Sequence, residues 1–157
     1  MHTVFRFLRQ LLLTVLLLAL LVLVAAGGYF AVTGHKLYES AIQVTPIDTL
    51  YSSISSREGF VPYAQLPQTY INAVLSVEDS RFVHHHGVDP LSIARALWAD
   101  LRSGTLAEGG STITQQLAKN TLFTQEKHLA RKAAEMFAAL AIEKQYNKEQ
   151  IFEMYVN

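Results

Sequence analysis

The sequence predicts a mainly α-helical protein behind one membrane-spanning helix. Three observations predict it: a long uncharged apolar run near the N-terminus, apolar residues at helical spacing from residue 67 onward, and repeated helix start and stop signals.

The apolar run is "LLLTVLLLALLVLVAAGGYFAV", Leu11 to Val32, 22 residues without a charge. At about 1.5 Å per residue it reaches roughly 33 Å, one bilayer core. Thr14 carries its lone threonine or serine hydroxyl, which can bond back to its own helix. Arg6 and Arg9 precede it, so residues 1–10 should stay cytoplasmic and the remainder should cross. A cleaved signal peptide is the rival reading, because Val24 and Ala26 before Gly27 resemble a cleavage site. The run continues past that site, which favours a signal anchor at 11–32. Residues 33–66, with "VTPIDTLYSSISSREGFVPYAQLP", read as a juxtamembrane connector on an extended path with room for a short strand.

From residue 67 to 157 the pattern is helical. "PQTYINAVLSVEDSRF" places Tyr70, Ala73, Val74 and Val77 on one stripe after Pro67. Asp89-Pro90 is an N-cap and N1 pair opening "LSIARALWADLRS", whose Ile93, Leu97, Trp98 and Leu101 are expected to be buried, with Gly104 as its stop. Thr112 with Gln115 has capping-box spacing, as does Asn147 with Gln150. Between these, Glu126 to Tyr146 carries a stripe of Leu129, Ala133, Met136, Phe137 and Leu140. The last helix, "KEQIFEMYVN", has no stop signal, so the sequence is expected to belong to a longer protein.

Composition narrows the chemistry. There are 13 basic and 13 acidic side chains and no cysteine. Disulfides and thiolate metal sites are excluded. Residues 1–36 carry Arg6, Arg9 and Lys36 with no acid, so the remainder is net acidic. No basic tract points to nucleic acid.

Four clusters stand out. "SVEDSRFVHHHG" holds Glu78, Asp79 and three consecutive histidines. Neighbouring side chains diverge on a helix or a strand, so His84, His85 and His86 do not converge easily on one ion. Glu78 falls near a helix C-terminus, where the dipole disfavours ionisation; that suits a general base near neutral pH, and an exposed charge pair is the plainer alternative. "GGSTITQQLAKN" offers unpaired N–H groups at a helix start, with Lys119 one to two turns on; an ordinary capped turn is the alternative. In "ARKAAE", Arg131 and Glu135 share a face, either as a surface ion pair or as part of a site in which Arg131 and Lys132 grip a diphosphate beside a second acid, Glu135.

Together, "EDSRFVHHHG", "GGSTITQQLAKN", "RKAAE" and "KEQIFEMYVN" resemble, in order, four motifs of the peptidoglycan glycosyltransferase family. That family comprises the transglycosylase modules of class A penicillin-binding proteins and their monofunctional relatives. The second block is the most specific. The resemblance runs from about Leu66 to Asn157, and the family's fifth motif is absent from the sequence.

The resemblance implies a lysozyme-like helical lobe, incomplete here, on the outer face of a bacterial plasma membrane. It implies polymerisation of lipid II into glycan strands, with inversion and release of undecaprenyl pyrophosphate. By motif position Glu78 matches the general base and Glu135 the second acid. Lys119, Arg131 and Lys132 match cations around the diphosphate. Thr112, Gln116 and Asn120 match polar contacts to donor and acceptor. Asp79, Phe82, His85 and Gly87 match the scaffold of the base, leaving His84 and His86 as bystanders. A divalent cation, magnesium or manganese, is implied as a companion of the pyrophosphate, without a readable ligand set. Implied partners are lipid II, the growing strand, the bilayer and other cell-wall synthesis proteins. "ARALWADLRSGTLAE" is a candidate for contact with lipid headgroups. Two rival functions remain: a lysozyme-like glycan-cleaving enzyme, which needs a protonated glutamate and no diphosphate cations, and a non-catalytic membrane-anchored scaffold. The isolated 157 residues are expected to be weakly active or inactive.

Overall fold

The computed structural model describes residues 2–104, 109–123 and 129–157. Seven helices follow one another among the described residues, and no strand occurs there. They are α1 (His2–Val44), α2 (Leu50–Ser55), α3 (Gln68–Glu78), α4 (Pro90–Ser103), α5 (Ile113–Leu122), α6 (Leu129–Gln145) and α7 (Lys148–Val156). Single 3-10 turns at Ile47–Thr49, Tyr63–Gln65 and Phe82–His84 link them.

The apolar run forms the first part of α1. The helix from Val4 to Val44 is long and apolar enough to cross a membrane. Its leucines are bare, Leu11 at 51 % and Leu23 at 70 % exposure, so nothing in the protein itself accounts for them. Thr14 Oγ1 donates to the Gln10 carbonyl at 2.9 Å, which satisfies the hydroxyl inside the helix.

The helix does not end where the apolar run ends. It continues to Val44, and its last third packs along α6. Gly34 is the point of closest approach. A Cβ there would lie 2.5 Å from Ala133 Cβ and 2.8 Å from the Ala130 carbonyl oxygen. His35 meets the Phe137 ring edge-on at 5.1 Å, and Tyr38 lies 6.4 Å from it. Pro46 then biases Thr45 away from helical angles and stops α1.

The stretch 33–66 is therefore not an extended connector with a strand. It completes α1, sets the first 3-10 turn against α6, and then folds onto α7 through α2 and the second 3-10 turn. Leu50 and Ile54, at 2 % and 1 % exposure, are core residues. Tyr146 Oη donates to the Ile47 carbonyl at 2.6 Å, and Tyr51 Oη donates to Glu153 Oε2 at 2.8 Å. Asn157 grips the Val61 backbone through both ends of its amide. These long-range partners, far away in sequence, fix the stretch where composition suggested a loop.

The core gathers Ile71 of α3, Phe82, Ile113 and Leu117 of α5, Ala138 and Ile142 of α6, and Ile151 and Phe152 of α7. Three expected stripes turn out rotated. On α3, Ile71, Val74 and Leu75 face inward, while Tyr70 and Val77 are exposed at 45 % and 82 %. Both stripes fit helical spacing, and the one with the larger branched side chains fills the core. On α4 only Ala96 is buried, and Leu97, Trp98 and Leu101 are exposed. This helix docks through its small side, with Gly110 set against Ile93 and Ala96. On α6 the buried residues are Ala134, Glu135, Ala138, Ala139 and Ile142. Phe137 and Ala133 turn to α1, and Leu129 and Leu140 are exposed. The alanines let α1 and α5 both approach α6 closely. The expected start of this helix at Glu126 lies outside the described residues.

The caps agree with the sequence reading. Asp89 caps α4, accepting from Leu91 N at 3.0 Å, and Gly104 closes it with φ +68°. Thr112 and Asn147 each form a reciprocal capping box with the glutamine three residues on.

Because α1 meets α6 at a bare Cα, Gly34→Leu must push the helices apart. The expected loss is about 1–3 kcal/mol, read as a lower midpoint of thermal unfolding in detergent micelles. An unchanged midpoint would show that α1 and α6 do not pack in this way.

Candidate functional site

The site begins where α3 ends. Glu78 is its last residue, and Asp79 leaves the helix with φ −160° and ψ 75°. That turn sends two adjacent carboxylates into opposite surroundings. Glu78 stays exposed, whereas Asp79 is 7 % exposed.

Asp79 is satisfied from two sides. Its Oδ2 accepts from Ile113 N at 3.0 Å, one of the unpaired donors at the start of α5. The His85 Nε2 lies 2.9 Å from the same oxygen. A helix N-terminus favours a negative charge, so this carboxylate joins α3 to α5. His85 is buried at 6 %, while His84 and His86 are exposed. The three histidines thus diverge. Gly87 closes the turn with φ +90°, and a Cβ there would lie 2.7 Å from the Ala139 carbonyl oxygen. Phe82 is buried against His85 and Phe152.

Thr112 was expected to touch a ligand. It is 2 % exposed, with its hydroxyl donating to the Gly87 carbonyl at 2.6 Å and accepting from Gln115 N at 3.1 Å. Both bonds are made inside the protein and join the first two motifs, while the residue still borders the polar cavity beside Glu78. Gln116 does reach Glu78: its Nε2 donates to Glu78 Oε2 at 2.9 Å. Lys119 and Asn120 follow three and four residues later and share that face of α5.

Glu135 is 1 % exposed and lies between two cations. Arg131 Nε is 3.0 Å from Oε1, and Lys132 Nζ is 2.9 Å from Oε2. Arg131 is itself only 14 % exposed, so the plain surface-pair alternative does not hold. Lys132 Nζ also donates to Ser111 Oγ at 2.6 Å, tying α6 to the glycine stretch before α5.

Two hollows meet at that stretch. A polar cavity of about 100 Å3 is bordered by Glu78, Asp79, Arg95 and Gly109 to Thr112. A mostly apolar groove of about 300 Å3 runs between α4 and α6 and carries Lys132 and Met136. Gly110 and Ser111 line both. Glu78 and Lys132 therefore flank one shared wall.

Two features escaped the sequence. One is Tyr155, whose Oη donates to Gln116 Oε1 at 3.2 Å. Burial, then the charge of Glu78 and the nearby Tyr70, push its hydroxyl above the ordinary range. The other is Lys148, whose Nζ donates to the His85 carbonyl and to Glu143 Oε1, each at 2.7 Å. It also lies 4.4 Å from the centre of the Phe82 ring. Thr114 Oγ1 completes the group, donating to Glu143 at 2.7 Å. Glu143 and Lys148 sit on different helices at a spacing of five, which no helical pattern singles out.

The donor set does not suit a resident metal. Among the described residues no group of three or more His, Asp or Glu is placed to hold one. Of the two carboxylates among the described residues lining the polar cavity, Asp79 is spent on His85 and Ile113, which leaves Glu78.

Two predictions test these supports. Lys148→Met leaves the 5 %-exposed Glu143 without its cation. Because Lys148 keeps a quarter of its exposure, the expected loss is about 2–3 kcal/mol, at the lower end for a broken buried pair. Denaturant unfolding measures it, and the double variant with Glu143→Gln should lose less than the sum of the two. Asp89 gives the pH dependence. Burial raises its carboxyl, but hydrogen bonds from Ser92, Leu91 N and Arg81 outweigh this and hold it below the usual range. Its contribution is thus complete above about pH 4 and lost as pH falls through the lowered folded value. Asp89→Asn should flatten the fall of the unfolding midpoint below about pH 4; an unaltered acid slope would remove this group from the cause.

The comparisons with known proteins come from the same stretches. The family model described as Transglycosylase matches residues 44–157. Penicillin-binding protein 1A of Haemophilus influenzae is 41 % identical over 145 residues, 92 % of this chain and 17 % of that protein. Penicillin-binding protein 1A/1B of Bacillus subtilis is 36 % identical over 160 residues, 95 % of this chain and 18 % of that protein. Penicillin-binding protein 1A of Escherichia coli is 47 % identical over 93 residues, 59 % of this chain and 11 % of that protein. The chain spans less than a fifth of the length of each. With the match covering most of its residues, the chain belongs to the transglycosylase family.

Proposed function

We propose that the chain carries the base and part of the diphosphate-binding side of a peptidoglycan glycosyltransferase that polymerises lipid II. The observation that carries this reading is the shared Gly110–Ser111 wall between the Glu78 cavity and the Lys132 groove. A base and a cation on either side of one wall suit a reaction in which a hydroxyl attacks as a diphosphate leaves.

In that reaction the acceptor sugar's 4-hydroxyl gives its proton to Glu78 while its oxygen bonds to the donor's anomeric carbon. The bond from that carbon to the pyrophosphate breaks on the opposite face, with inversion. A hydroxyl is a poor nucleophile and needs the carboxylate. Pyrophosphate leaves readily once its charge is compensated, and cations can do this without a strong acid. Arg131 and Lys132, fixed by Glu135, take that role together with Lys119. Glu135 acts through the two cations rather than as a proton carrier. Any divalent ion taking part would arrive on the pyrophosphate, since the described lining of the polar cavity offers it one open carboxylate, Glu78.

Location supports the same reading. A lipid-linked sugar has its reacting head at the bilayer surface, and an anchored enzyme meets it in two dimensions. The bare apolar segment of α1 would cross the membrane with Arg6 and Arg9 on the cytoplasmic side, and the lobe would lie outside. The exposed Leu97, Trp98 and Leu101 on α4, beside Arg95 and Arg102, suit contact with headgroups.

Glu78→Gln, in the anchored protein at its full natural length, should slow polymerisation of labelled lipid II by about 100-fold or more. Retained polymerisation would remove the base. Consumption of finished glycan instead of lipid II would favour a glycan-cleaving enzyme.

A further inference from the structure

We propose that Tyr155 is a positioning residue for the base, setting through the Gln116 amide which oxygen of Glu78 receives the proton. The inference rests on the reading of Glu78 as that base.

The relay crosses three helices. Tyr155 on α7 donates to Gln116 Oε1 at 3.2 Å, and Gln116 Nε2 on α5 donates to Glu78 Oε2 on α3 at 2.9 Å. A primary amide has an accepting end and a donating end. With a hydroxyl donor on its oxygen, Gln116 turns its N–H group to the carboxylate. The opposite rotamer would set a carbonyl against a carboxylate, two acceptors with no proton between them. Ionised Glu78 accepts only and so selects the N–H end of the amide, and Tyr155, donating to the other end, anchors Gln116 in that orientation. Oε2 already accepts that bond and is the weaker base for it, and Oε1 has no partner among the described residues, so Oε1 is the more open oxygen to take the proton.

Tyr155 is placed to do this. It follows Ile151, Phe152 and Met154, all buried, so α7 is locked into the core beneath it. It lends that rigidity to a carboxylate that is itself exposed. Burial and the charge of Glu78 keep its hydroxyl protonated well above neutral pH, so it remains a donor.

The test is kinetic and spectroscopic, on the anchored protein at its full natural length. Tyr155→Phe should lower kcat about fivefold, the size of one lost hydrogen bond, and leave KM for lipid II within about twofold. In a Gln116→Ala background the same change should have no further effect, because the tyrosine acts through the amide. A wild-type kcat, or effects that simply multiply, would overturn the proposal. Glu78→Gln separates the two readings. If it retains activity, the base assignment fails and this inference falls with it. If it is inactive while Tyr155→Phe turns over normally, only the tyrosine's role fails. A titration of carbon-13-labelled tyrosine needs no turnover. The Tyr155 midpoint should fall toward the ordinary value of 10.0 in Glu78→Gln, and an unmoved midpoint would show that the two groups do not interact.

Discussion

The buried carboxylate of Asp79 is the contact on which the rest of the site depends. It lies at the end of one helix and at the start of another, and accepts from Ile113 N and from the His85 ring at once. A buried charge is costly unless it is hydrogen-bonded. Here the donors are already present, because a helix start has N–H groups without partners. The same contact sets three other positions. It places Glu78, one residue earlier, on the exposed side; it sets His85 inward; and it brings Gly87 to Thr112. Only glycine fits that last position, where φ is +90° and the Ala139 carbonyl is in the way.

Lys148 and Glu143 secure the turn from behind. Each satisfies a partner the other leaves over: the lysine holds the His85 carbonyl and the glutamate accepts from Thr114. The result is a ring of contacts through α5, α6 and α7 around Phe82. An apolar replacement of matching shape could be as stable, since buried ion pairs bring little net stability. What the pair supplies is direction, because a carbonyl and a hydroxyl each require a partner at one angle. That is the kind of specification a turn beside Glu78 needs if, as proposed, its carboxylate takes the proton.

Much of this was legible in the sequence, for local reasons. The caps at Asp89, Thr112 and Asn147 depend on residues two or three apart, and all three formed. The divergence of the three histidines followed from backbone geometry, and the choice of His85 as the inward one came from the motif resemblance. The stripes on α3, α4 and α6 were misread because each helix carries apolar residues on two faces, and only the neighbours decide which is buried. The stretch 33–66 was misread for a related reason. Its order comes from Tyr146, Glu153 and Asn157, roughly a hundred residues away, and composition cannot show that. Tyr155 and Lys148 stayed hidden because their partners are on other helices.

The buried Glu135 raises a sharper question: why would a site meant for a diphosphate neutralise part of its own charge? On the proposed reading the answer lies in flexibility. Arg131 and Lys132 have long side chains that lose entropy when they grip an anion. Glu135, one turn on and almost fully buried, fixes both before any anion arrives. One net positive charge remains, and Ser111 holds the lysine against the wall shared with the base cavity. Pre-placed cations stabilise charge that develops on a leaving group without having to move first. A weaker net charge also lets the leaving group depart, which a chain-extending enzyme must allow at each step. The acid between the cations thus limits binding and sharpens placement, and both favour turnover over tight capture.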